Sequence, residues 1–217
     1  MKQAATFIAG ILSASLAFAG ERGATPGDFD FYVLALSWSP SYCAAEGADA
    51  NPQQCDGDEA YAFVVHGLWP QYEEGYPEFC RFRGPDRVPD RLVRASLDIM
   101  PSAGLIGHQW RKHGTCSGLG QDDYFALVRA ARERVLVPSA FIAPEAAHTA
   151  EPERMETRFI DANPGLDPDG IAVTCGEGYL REVRICMTRE LAFRACPEID
   201  EKACRLPEAL MPAPRAR

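Results

Sequence analysis

The sequence predicts an α+β fold, with a central, mainly antiparallel sheet flanked by helices and stapled by disulfides. Three observations carry that prediction. Runs with strand alternation and runs with helical spacing are interleaved, without the regular strand–helix–strand rhythm of a parallel sheet. Two late strand-like runs, residues 171–175 and 180–187, are joined by Gly176-Glu177-Gly178 and read as a hairpin. Eight cysteines (Cys43, Cys55, Cys80, Cys116, Cys175, Cys186, Cys196 and Cys204) form an even set that suits four disulfides in an oxidising compartment.

The chain opens with a positive Lys2, an apolar, small-residue run over 4–18, and Ala17-Phe18-Ala19, a small-x-small cleavage pattern before Gly20. Residues 1–19 are therefore expected to be a secretory signal peptide. Residues 20–217 are then expected to form a single domain, burying roughly 70% of its unfolded surface. A membrane anchor fits less well, because the run is short and rich in Ala, Ser and Gly. No later segment is long and apolar enough to span a bilayer, so the exported chain is expected in the periplasm or outside the cell.

Residues 29–39 are aromatic, β-branched and partly alternating, which predicts a central strand stopped by Pro40. Residues 44–58, rich in Gly, Asp, Asn, Gln and Pro, read as a loop. Residues 61–68 predict a second strand, ended by Trp69-Pro70, and 71–87 a surface loop. Leu92, Val93, Leu97 and Met100 have helical spacing over 90–100, with Pro89 suited to the first turn. Residues 108–116 read as helical before Gly114. Asp122 or Asp123 can cap a helix through Val135, with Phe125, Leu127, Val128, Ala131 and Val135 inward. A shorter helix over 152–162 ends at Asn163-Pro164-Gly165. The tail, with Pro207, Pro212 and Pro214, reads as loosely held. There is no internal repeat.

With 22 lysines and arginines against 31 aspartates and glutamates, the formal charge is −9. It is one unit more negative without Lys2. Such a chain is not a general nucleic-acid binder, which would be basic. If RNA is its partner, attraction must be local to a cleft. No C-x-x-C pair is present, which argues against a zinc ribbon or a thioredoxin-type motif.

Three of the four histidines fall in two short stretches, Phe63-Val64-Val65-His66-Gly67-Leu68-Trp69-Pro70 and His108-Gln109-Trp110-Arg111-Lys112-His113-Gly114-Thr115-Cys116. His148 stands apart and reads as a surface residue. If the fold joins His66 and His113, a neutral imidazole can accept a proton while a protonated one donates. That pairing suits displacement at phosphorus by an internal hydroxyl, which RNA supplies as its 2′-OH and DNA does not. It needs no metal or other cofactor. On a helix, His108 pairs with Lys112 and Gln109 with His113, each four apart. His108 and His113 are five apart, unlike the H-E-x-x-H zinc pattern. Lys112 can stabilise a five-coordinate phosphorane, and a cationic His108 can hold a phosphate oxygen. Taken one at a time, these residues have plainer readings: a structural histidine, core tryptophans at Trp69 and Trp110, solvated charge at Arg111 and Lys112. Their joint occurrence favours a site.

The two histidine stretches, with Gln71 after Pro70, resemble the two active-site segments of the ribonuclease T2 family. Asp30-Phe31-Tyr32-Val33-Leu34-Ala35-Leu36-Ser37-Trp38-Ser39-Pro40-Ser41-Tyr42-Cys43 resembles its first strand and turn, and Leu180-Arg181-Glu182-Val183-Arg184-Ile185-Cys186 its late strand. The resemblance implies an endoribonuclease acting on single-stranded RNA with low base specificity and often an acidic optimum. It implies His113 as base, His66 as acid, His108 as phosphate binder and Lys112 as transition-state support. It implies that Trp69 stacks on a base, a contact worth roughly 1–3 kcal/mol. It implies disulfides Cys43–Cys55, Cys80–Cys116, Cys175–Cys204 and Cys186–Cys196.

Two departures stand out. Gln109 replaces the family's usual Glu, so a carboxylate that would favour cationic His113 becomes an amide that can still hydrogen-bond a phosphate oxygen. Gln71 stands where some members carry a base-contacting Asp, so no base preference transfers. The alternative is a catalytically weakened, RNA-binding relative, which rests on Gln109 alone. A metal-dependent hydrolase lacks a carboxylate–histidine constellation. A monomer is the default expectation.

Overall fold

The structure, a computed structural model, describes residues 20–215, so the expected signal peptide lies outside the described residues. After a two-residue strand β1 (Glu21–Arg22), the central strand β2 spans Phe31–Trp38. Its two faces are both buried. Tyr32, Leu34, Leu36 and Trp38 enter the main core, and Phe31 and Val33 a smaller one behind it. That double burial explains the incomplete alternation of this run.

The strand ends just before Pro40, as expected, and Pro40 then opens a helix. It sits in the first turn of α1 (Ser39–Glu46), where a missing N–H is no loss. A second short helix, α2 (Pro52–Cys55), is capped by Asn51, whose side chain accepts from the Gln53 amide at 2.9 Å. The stretch expected as a loop thus holds two helices, cross-linked by Cys43–Cys55.

Strand β3 (Phe63–Gln71) runs on through Trp69 and Pro70. Within the expected surface loop, β4 (Pro77–Glu78) pairs in parallel with β1. Helices α3 (Asp90–Ser96), α4 (Ala103–Lys112) and α5 (Gln121–Arg134) follow. Helix α3 ends before Leu97, and Pro89 is its cap residue. Helix α4 begins five residues before His108, capped by the Ser102 hydroxyl, which accepts from the Leu105 amide at 3.2 Å. In α5, Asp122 and Asp123 lie in the first turn, where carboxylates suit the helix N-terminus. Fully buried Tyr124 joins the inward set, and Leu127 packs against the core half-buried.

The remaining elements are β5 (His148–Ala150), α6 (Pro152–Ala162), β6 (Ile171–Gly176), β7 (Tyr179–Met187), α7 (Pro197–Asp200) and β8 (Ala209–Met211). The β6–β7 turn places Glu177 and Gly178 at φ 55° and 80°, as a tight hairpin with the right twist requires. The six-stranded sheet has the order β3-β2-β7-β8-β5, with β6 also against β7. All its pairings are antiparallel except the short β7–β8 contact. Because β3 is the edge strand, it tolerates Pro70. The tail is anchored: β8 pairs with β5, and the Pro212 carbonyl accepts from the Trp38 indole at 2.9 Å. Four disulfides close, Cys43–Cys55, Cys80–Cys116, Cys175–Cys204 and Cys186–Cys196. No helix of the described residues is long and apolar enough to cross a membrane.

Candidate active site

His66 sits on a β-bulge. Gly67 faces Ala35 and Val65 faces Leu36, which leaves His66 without a partner on β2. Val65 and Leu68, three apart, both enter the main core, which a strict two-residue period forbids. The extra residue between them resets the phase and re-aims His66. It brings the His66 ring against Trp69, with centroids 5.2 Å apart.

Helix α4 lies beside this edge of the sheet. Ile106 and Trp110 face the core, and the Trp110 indole donates to the Pro85 carbonyl at 3.1 Å. That orientation leaves His108 exposed and Lys112 partly exposed, while Gln109 and His113 are buried. Gln109 fills the space above Gly67, where a Cβ would lie 2.1 Å from the Gln109 Oε1. The same Oε1 accepts from the Trp69 indole at 2.8 Å. After His113 the chain turns tightly at Gly114, where a Cβ would meet Trp110 at 2.4 Å.

The structure therefore joins His66, Trp69, Gln109 and His113. The Trp69 ring stacks on His113 at 5.3 Å and 28°, and the Arg184 guanidinium carbon lies 5.4 Å from the Trp69 ring centroid. Protein groups thus already contact the Trp69 ring, which stays partly exposed. Gln109 is 2% exposed, and its Oε1 is held by the Trp69 indole, whose orientation it fixes. Gln71 lies outside the cleft described below. It is 5% exposed, and its amide donates to the neighbouring Pro70 carbonyl at 2.9 Å, so its placement lends no support to substrate contact. His148 is half-buried on β5, away from the other histidines. Lys112 approaches Glu78 at 3.5 Å and the Tyr76 ring centroid at 5.9 Å.

Three residues that sequence reasoning did not single out complete the surroundings. Glu182 and Arg184 alternate on β7 with the core residues Val183 and Ile185, so both project from the other face. Glu182 Oε1 lies 2.5 Å from His66 Nδ1, and its Oε2 accepts from Arg184 Nε and Nη2 at 3.0 and 2.8 Å. Glu78 holds Lys112. Alternating polarity in 180–187 could have placed Glu182 and Arg184 on one face, but not opposite His66.

The two buried sites have opposite electrostatics. Burial, reinforced by Lys112, His66 and His108, holds the proton affinity of His113 well below the ordinary value. His108, exposed by area but partly desolvated, is lowered first by that desolvation and then by Lys112, Arg111 and His66. Burial alone would raise Glu182, but the hydrogen bond and charge of His66, with Arg184, outweigh it and bring it down to about 2. A cleft of about 910 Å³ opens beside His66 and His108, walled by Tyr42, Asn51, Gln54, Leu105, Glu182 and Arg184. Among the described residues, no cluster of three or more His, Cys, Asp or Glu could hold a metal ion.

Comparison with known proteins identifies similarity at every level. A family model for the Ribonuclease T2 family matches residues 29–196. A ribonuclease of Aeromonas hydrophila is 34% identical over 194 residues, covering 88% of this chain and 86% of the relative. Ribonuclease DdI of Dictyostelium discoideum is 31% identical over 197 residues, covering 82% and 83%. Among solved structures, an RNase-related protein from Calystegia sepium superposes with a TM-score of 0.66 at 20% identity, covering 86% of this chain and 98% of that one. RNase NT in complex with 5′-AMP gives 0.60 at 23% identity, with 86% and 98% covered. These two structural likenesses speak for the fold.

Proposed function

The chain belongs to the Ribonuclease T2 family, and from that premise we propose that it is a metal-independent endoribonuclease acting on single-stranded RNA. The observation that carries this reading is the pair of histidines that both pack against Trp69, held in unequal surroundings. His113 is buried with its proton affinity lowered, which suits a base. His66 is paired with a carboxylate, which suits an acid.

In the first step, His113 takes the 2′-OH proton as the 2′-oxygen bonds to phosphorus. The bond from phosphorus to the 5′-oxygen breaks, and His66 gives that oxygen a proton. The products are a 2′,3′-cyclic phosphate and a 5′-hydroxyl. In a slower second step, water replaces the leaving alcohol, the histidines exchange roles, and a 3′-phosphate results. Lys112 neutralises charge on the phosphorane, and His108 holds a phosphate oxygen. DNA, without a 2′-hydroxyl, is not cleaved. Trp69 and Gln109 keep His113 in place, and base specificity is low.

Residues 1–19 act as the signal peptide and residues 20–217 as one monomeric domain, exported to the periplasm or beyond. Gln109 supports the second reading, a weakened RNA-binding relative, and one assay separates the two. The four homopolymers are incubated from about pH 4 to about pH 8, with and without EDTA. Cyclic phosphate should appear and persist in EDTA, and should fall by about 10²–10⁴-fold in His66→Ala and His113→Ala. No cyclic phosphate at any pH would favour the binding relative, and loss of activity in EDTA a metal enzyme.

A further inference from the structure

Glu182 is 8% exposed, and both its oxygens are committed. Oε1 meets His66 Nδ1, and Oε2 takes two bonds from Arg184. Burying such a set contributes little to stability by itself, because desolvation offsets the attraction. Its geometry has a chemical consequence instead. A carboxylate that accepts from Nδ1 fixes the imidazole tautomer and orientation, and leaves Nε2 as the nitrogen that can hand over a proton.

We propose that Glu182, braced by Arg184, is the positioning residue that keeps Nδ1 of His66 protonated and presents Nε2 to the departing 5′-oxygen. The proposal rests on the reading of His66 as the acid. Other charged groups surround the pair without replacing it. His108 comes from α4, His113 from its C-terminal end, and Glu46, Glu177, Arg181 and Lys202 line the same cleft. Among the described hydrogen bonds and ion pairs, Glu182 is the partner of His66.

The arrangement also separates two functions at the sheet edge. The bulge on β3 aims His66, and the alternation of β7 places Glu182 beneath it. Residues 66 and 182 come from strands on opposite sides of β2. Ser37, paired with Glu182 across β2 and β7, lines the same cleft.

The test compares RNA with an aryl ester, uridine 3′-(4-nitrophenyl phosphate), whose leaving group departs without a proton. Glu182→Gln keeps the shape and removes the charge. It should lower kcat on RNA about tenfold or more with little change in KM, and move the alkaline limb of kcat/KM to lower pH. It should spare the aryl ester, as His66→Ala should, and add little in the His66→Ala background. Glu182→Asp should recover part of the RNA activity. Equal losses on both substrates, or none on RNA, would overturn the proposal. If His66→Ala itself lost both substrates equally, the acid assignment would fail, which is a separate result. Nitrogen-15 NMR of the unaltered protein gives an independent check: His66 should carry its proton on Nδ1 when neutral. A neutral tautomer protonated on Nε2 would overturn the proposal even if the variants did not fold.

Discussion

Gln109 and Glu182 show how one site divides amide and carboxylate between two histidines. The amide lies at Trp69, next to His113, and among the described residues no carboxylate opposes the effect of burial there. As the proposed base, His113 must be neutral to act, so the acid limb of kcat/KM should lie below pH 6.5, the ordinary imidazole value. Gln109→Glu would add negative charge near His113 and favour its protonated form. The acid limb should then move to higher pH, measured as kcat/KM on poly(U). An unmoved limb would mean that residue 109 is too well separated from His113 to influence it. The histidines, Lys112 and Trp69 could be picked out in the sequence because their types and spacing are local information. Glu182 could not, because its role comes from a neighbour 116 residues away in the chain.

At the scale of elements, the site hangs on a bulge, a tight turn and a disulfide. Gly114 lets the chain leave α4 against Trp110 and Tyr124. Gly114→Ala should cost about 1–3 kcal/mol by overpacking and also disturb His113. Urea unfolding would measure the first effect and activity the second; an unchanged midpoint would show that the two aromatic rings can yield. The Cys80–Cys116 bond ties the segment bearing Tyr76 and Glu78 to the turn after α4. Replacing both cysteines with serine should cost about 2–4 kcal/mol. Activity should fall further than stability accounts for, because Glu78 would no longer be held at Lys112; calorimetry alongside kcat tests this. The strand and helix types were largely legible, since hydrophobic period is a local property. Their ends were less so. Pro40 starts a helix, Pro70 rides an edge strand, and Gly104 and Gly107 hide the first half of α4. Pro40 suits the first turn of a helix as well as it stops a strand, and Pro70 is tolerated only because β3 lies at the sheet edge.

For the molecule as a whole, the acid side of stability follows from the same groups. His113 is depressed on folding, so its contribution is complete above its unfolded value of 6.5 and is lost as pH falls below it. His108 adds in the same direction. Glu182 is also depressed, so its contribution is complete above about 4.5 and is lost as pH falls toward about 2. The urea midpoint should therefore decline below about pH 6.5 and again below about 4.5. His113→Asn should flatten the first decline, and an equal slope in that variant would assign it to other groups. Composition, periodicity and the two histidine stretches determined the fold class, the family resemblance and the chemical character of the site, because residue type and short spacing carry that information. The tertiary structure alone decided that His66 faces Glu182, that Trp69 meets His113 and Gln109, and that Gln71 lies outside the cleft. Those outcomes depend on strand register, on one bulged residue and on which strands become neighbours, and such long-range pairings leave no local mark in a single chain.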